Sequence, residues 1–167
     1  MGKWWKFRRV NLREESNERI NERDLFQMKL DLSSLTKAVA SLEIALNFSL
    51  SREKLAPFSE NEKDVIRSGV IQNFEFTYEL CWKFMKRWLE NNLGSSYVDG
   101  LPRKELFRVA AEHRLINDVN HWFLYHEARN ETAHTYDRKK AEHVFETAQQ
   151  FLPDAKGFLK NLEKKND

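Results

Sequence analysis

The chain has 167 residues, enough for one domain with a real hydrophobic core. Apolar residues make up 41% and aromatics 13%, too much core material for a disordered chain, and 28 basic against 26 acidic side chains leave a net charge of +2, too small to mark the whole surface for nucleic acid. Five glycines and three prolines supply little for turns and favour a few long helices over many short strands.

Residues 1–24 stand apart. "MGKWWKFRRV" is basic and aromatic and "NLREESNERINER" almost wholly polar, so this stretch is expected to be a poorly ordered extension. Met28 is an alternative start, just before the first clean helical period. Residues 25–164 are expected to form the domain. No segment approaches the roughly 18 apolar residues of a membrane helix, and no apolar signal region follows the basic start. The single cysteine, Cys81, cannot form an internal disulfide. Together these point to a cytoplasmic protein with no membrane contact.

A first helix is predicted over about 25–48, where Leu32, Leu35, Val39, Leu42 and Leu46 recur at spacings of three and four. "SREKLAPFSENE" follows as a loop, with Pro57 as breaker and Ser59 as cap. The longest helix is expected over about 62–91. Val70, Phe74, Tyr78, Cys81, Met85 and Trp88 make its main stripe, and Ile71, Trp82 and Leu89 widen it to an arc that needs several helices, or a second subunit, to cover it. Asn92 and Gly94 are its stop signals. After the loop "GSSYVDGLP", Pro102 suits the first turn of a short helix ending near His113. A further helix is expected from Asp118 to about Asn130, and a last one from Asp137, its N-cap. Arg138, Lys139 and Lys140 oppose that helix's dipole and suggest an anion nearby. Ala141, Val144, Phe145, Ala148 and Phe151 continue the core face, and Pro153 should kink or split the helix before Ala155, Phe158, Leu159 and Leu162 resume it. No alternating strand pattern and no repeat appears. The expected fold is all-α: an antiparallel four-helix bundle with a short additional helix.

The segment "ARNETAHTYD", residues 128–137, gathers polar chemistry at the end of one helix. On an ideal helix Arg129 and His134 are about 140° apart, and His134 and Tyr136 about 160°. They cannot share one face of a straight helix. Either Arg129 curls round, or the helix ends inside the stretch, or a second subunit supplies the missing face.

The spacing Arg129-Asn130-x-x-x-His134-x-Tyr136 resembles the Arg-x4-His-x-Tyr signature of the HEPN superfamily. "GVIQNFEFTYELCWK", residues 69–83, with Phe74, Glu75, Tyr78, Glu79 and Trp82, resembles the hallmark helix of the small HEPN proteins called nucleotidyltransferase substrate-binding proteins. The likeness covers about residues 28–163. It implies a helical-bundle homodimer whose paired signature segments line a cleft, with a minimal nucleotidyltransferase as partner. It also implies either of two functions. One is a metal-independent endoribonuclease toxin, with Arg129 and His134 catalytic and Tyr136 adenylylated by the partner. The other is a non-catalytic subunit that binds RNA or nucleotide for the partner's active site.

The chemistry suits these residue types. Cleaving RNA without a metal needs a base for the 2′-hydroxyl and an acid for the leaving 5′-oxygen, and an imidazole serves both roles. A fixed guanidinium stabilises the charge gathered on the phosphate, and Asn130 could orient the histidine or hold a phosphate oxygen. Glu75 lies in the stripe of Ile71, Tyr78 and Trp82 and is a candidate orienter for Arg129 or His134, or else pairs with another donor across the bundle. Tyr78 and Trp82 read as core. His113, His121, His126 and His143 form no metal-ligand spacing, so no metal and no cofactor is expected.

Overall fold

The computed structural model describes residues 29–166, and every regular element among them is helical. In chain order they are α1 (Ser33–Ser49), α2 (Arg52–Leu55), α3 (Glu60–Leu93), α4 (Ser95–Val98), α5 (Arg103–Glu112), α6 (Val119–Glu131), a 3-10 turn (Thr132–His134) and α7 (Arg138–Lys165). The expected extension over 1–24, the alternative start at Met28 and the first residues of the expected first helix lie outside the described residues. Within them α1 starts at Ser33, because the Asp31 carboxylate accepts the Ser33 N–H at 2.9 Å and holds the preceding residues out of the helix.

Local side-chain chemistry sets the helix starts. Ser59 and Glu62 form a capping box at the head of α3: the Ser59 hydroxyl accepts the Glu62 N–H at 3.4 Å, and the Glu62 carboxylate accepts the Ser59 N–H at 2.8 Å. Asp118 accepts the Asn120 N–H at 2.8 Å to start α6. Asp137 accepts the Lys139 N–H at 2.9 Å to start α7. Gly94, at φ +91, ends α3. Asn92 does not stop that helix; its amide donates to the Trp88 carbonyl inside it. Pro102 sits just before the first turn of α5 rather than inside it, with an extended ψ of 151°. Both connecting loops contain a single helical turn, α2 and α4.

Side-chain contacts give the helix directions. Leu30 pairs with Asn166 and Glu43 with Lys156, so α1 and α7 run in opposite senses. Ser41 bonds Asn73 while Thr77 reaches the Ala38 carbonyl, which sets α1 against α3. Tyr78 meets His126 and Glu75 meets Arg129, which sets α6 against α3. By contrast α3 and α7 run the same way, since Arg67 lies over Phe145, Phe74 over Phe151 and Lys165 over Trp88. The long helices thus alternate up and down, with α3 and α7 meeting across the middle.

Phe151 is the centre of that meeting. Its buried ring packs edge-on to Phe74 at 5.2 Å, Tyr125 at 5.1 Å and Trp122 at 5.9 Å. The predicted stripes of α1 and α3 are buried, Leu32 and Trp82 only in part. Cys81 is fully buried, and burial pushes its thiol far above the ordinary range, so it is an inert core residue. Pro153 does not split α7. The helix runs through it with Pro153 facing solvent, because Phe151, Ala155 and Phe158 on the opposite side are anchored in the core. None of the described helices is long and apolar enough to cross a membrane.

Candidate functional site

The signature segment contains a helix end. The α6 helix stops at Glu131, and a 3-10 turn carries Thr132 to His134 before Asp137 begins α7. Two hydroxyls hold this tightening: Thr132 donates to the Arg129 carbonyl at 2.8 Å, and Thr135 to the Thr132 carbonyl at 3.1 Å. Of the three ways to reconcile the spacing of Arg129 and His134, termination of the helix inside the stretch is the one observed.

Arg129 is half-buried and faces α3. Its Nε lies 2.6 Å from the Glu79 carboxylate and an Nη 3.4 Å from Glu75. Glu75 therefore meets Arg129, as one of its two readings expected, rather than His134. His134 lies on the exposed side, where its ring meets that of Tyr136 nearly perpendicularly, centroids 6.1 Å apart. Tyr136 is 88% exposed, and Asn130 also faces solvent. Of the five expected residues, Arg129 is clamped against Glu75 of α3, His134 pairs with Tyr136 on the exposed side, and Asn130 stands apart from both.

Three further residues belong to the clamp. Glu79 is the main partner of Arg129, and the same oxygen is 3.4 Å from Arg103 at the start of α5. The Arg103 guanidinium in turn lies 4.5 Å from the centre of the Trp82 ring. His126, one turn before Arg129, sits with its Nδ1 3.0 Å from the Tyr78 hydroxyl. Burial pushes the Tyr78 hydroxyl up to about 12, so it keeps its proton beside Nδ1. Burial, followed by the Arg103, Lys104 and Arg129 cations, holds His126 below its ordinary range, so this histidine stays neutral where an exposed one would begin to charge.

Tyr78 is the core residue it was expected to be, although its hydroxyl is used, while Trp82 is a half-buried platform for Arg103. Glu75 and Glu79 are four residues apart on α3, a repeat of acids beside an apolar stripe that could have flagged both. Nothing local to Arg103 or His126 marks them; only the packing of α5 and α6 on α3 brings them in. Among the described residues no three His, Cys, Asp or Glu side chains gather as a metal site would need.

A family model described as nucleotidyltransferase substrate binding protein like matches residues 30–164. The chain belongs to this family. Within the nucleotidyltransferase substrate-binding family it is similar to a Haemophilus influenzae protein named probable ribonuclease HepT, 34% identical over 139 residues, which span 83% of this chain and 95% of that one. The fold agrees with a solved Haemophilus influenzae structure described as a substrate-binding domain of a nucleotidyltransferase, with a TM-score of 0.76 at 33% identity over 80% of this chain and 99% of that one. A Thermus thermophilus protein of known structure matches with a TM-score of 0.59 at 25% identity, covering 77% of this chain and 98% of its own. The family match takes in the whole clamp and the whole signature segment.

Proposed function

We propose that the chain is the HEPN subunit of a two-component system, acting with a minimal nucleotidyltransferase, and that it is a latent metal-independent endoribonuclease of the cytoplasm. The observation that carries this reading is the exposed pair at the end of α6, with Tyr136 open to solvent and set against His134 one turn from the clamped Arg129. The relative named probable ribonuclease HepT supports it.

In the reaction the RNA 2′-oxygen attacks the adjacent phosphorus and the bond from phosphorus to the 5′-oxygen breaks. This leaves a 2′,3′-cyclic phosphate and a 5′-hydroxyl. A homodimer brings two signature segments to one cleft, so one His134 takes the 2′-hydroxyl proton and the other protonates the leaving oxygen. Arg129 stabilises the charge on the phosphate. Silencing follows from the partner joining the Tyr136 oxygen to the α-phosphorus of ATP with loss of pyrophosphate. The added AMP sets a phosphate where the scissile one would bind and blocks the site.

Purified dimer should cut RNA in EDTA to cyclic-phosphate ends, and His134→Ala or Arg129→Ala should abolish cutting with the helical fold retained. Incubation with the nucleotidyltransferase and ATP should add AMP mass to the peptide carrying Tyr136, and Tyr136→Phe should remove it. Cutting that needs added Mg²⁺, or label on another residue, would count against the reading. A second reading, a binding subunit that presents substrate to the partner, is favoured by the description of the Haemophilus influenzae structure. It prevails if the unmodified protein binds nucleotide and leaves varied RNAs intact.

A further inference from the structure

We propose that Arg103 is a second phosphate-gripping residue of this site, paired with Arg129, and that Glu79 is the positioning residue that holds the two guanidiniums together. The inference rests on the reading that the Arg129 segment handles a phosphate group.

The geometry points to a pair. Arg103 starts α5 and Arg129 lies in the last turn of α6, far apart in the chain, yet both approach the same Glu79 oxygen, at 3.4 and 2.6 Å. Two guanidiniums on one oxygen stand close enough to reach one phosphodiester together. Without the carboxylate between them their like charges would push them apart. Arg103 is further fixed by its stack on Trp82, 4.5 Å from the ring centre. Arg129 spends Nε and one Nη on Glu79 and Glu75, which leaves its other Nη for a ligand. Both arginine side chains are about a quarter to a third exposed, so the pair is fixed from within and open to solvent. His126 lies beside the same two arginines, its Nδ1 3.0 Å from the Tyr78 hydroxyl, and burial and these cations favour its neutral form. Charged guanidiniums on a carboxylate pivot suit a phosphate oxygen better than a carboxylate ligand, which Glu79 already resembles.

The phosphate belongs either to an RNA chain or to a free nucleotide, and two probes separate them: a labelled 12-nucleotide RNA carrying 2′-O-methyl groups, which binds but cannot be cut, and ATP. Arg103→Gln should weaken binding of one probe about tenfold, the loss of one charge-assisted contact, and for the RNA should lower the salt slope by about one. Arg103→Lys should restore only part of the loss, since an ammonium lacks the fork. Loss with RNA alone places the gripped phosphate in a chain, and loss with ATP alone in a nucleotide. Arg108→Gln, a cation on the same helix paired with Glu105, should change neither. Glu79→Gln decides the positioning role by its sign. Removing a negative charge should tighten anion binding on Coulomb grounds alone, whereas loss of positioning weakens it, and Glu79→Asp recovers part. If Arg103→Gln binds both probes like the unsubstituted protein while Arg129→Gln does not, the Arg103 role is overturned and the function stands. If Glu79→Gln binds more tightly, the positioning role is overturned. If the unsubstituted protein binds neither probe, the phosphate reading falls with both.

Discussion

His126 sets a pH dependence at the scale of one residue. It is held below its ordinary value of 6.5 by burial and by Arg103, Lys104 and Arg129. Above 6.5 the imidazole is neutral in both the folded and the unfolded chain, and its contribution to stability is complete. Below 6.5 the unfolded chain takes up a proton that the folded site resists, so stability falls with pH until the folded histidine also protonates. Urea unfolding should show a midpoint that drops between pH 7 and pH 5, and His126→Gln should flatten that dependence. An equal slope in both proteins would remove His126 from the account. The same scale contains the largest gap in what the sequence reveals. Arg129, His134 and Tyr136 are legible because the signature is local, and Glu75 because it interrupts an apolar stripe. Arg103 is not, since its partners Glu79 and Trp82 lie on another helix.

Helix boundaries show which signals act locally. Ser59 and Asp137 are legible as caps because each carries out its function within three residues, through a side-chain oxygen on a nearby N–H. The single turns α2 and α4 are not, because four residues complete little more than one period. Pro153 reads as a break and is not one. A proline in a helix interior removes one hydrogen bond and crowds the carbonyl four residues back, yet the Phe151 and Phe158 anchors on either side keep α7 continuous. Pro153→Ala should therefore stabilise the protein by roughly 1–3 kcal/mol, read as a higher urea midpoint with an unchanged slope. A destabilised variant would mean that the proline's shape is needed by the packing.

For the whole molecule, one aromatic cluster joins three helices. Phe151 of α7 meets Phe74 and Tyr78 of α3 and Trp122 and Tyr125 of α6. Phe151→Ala should cost about 3–5 kcal/mol, a large part of the roughly 5–15 kcal/mol that holds a domain of this kind folded, and calorimetry should show it. The proposed homodimer belongs to this scale as well. Val65 and Phe76 of α3 are 72% and 58% exposed, and eleven residues apart they lie within about 20° on one helix face. Sedimentation of the unsubstituted protein should give twice the monomer mass, and Phe76→Glu should give a monomer that no longer cuts RNA. A dimer that survives Phe76→Glu would move the interface elsewhere.

The long helices and the core stripes were written in the sequence alone, because period and caps are properties of neighbouring residues. The all-helical class follows from them: with few glycines and prolines and every apolar stripe at helical spacing, no other class could bury Leu35, Phe74 and Phe151 together. Tertiary structure alone decided what faces Arg129. Its carboxylate partners lie 50 and 54 positions away in the chain, and the second arginine that shares Glu79 comes from a third helix. Such a contact depends on the rotation and depth at which α5 and α6 pack on α3. Those are set by the large rings between the helices, Trp82, Phe107, Trp122 and Phe151, and no spacing along a single helix encodes them.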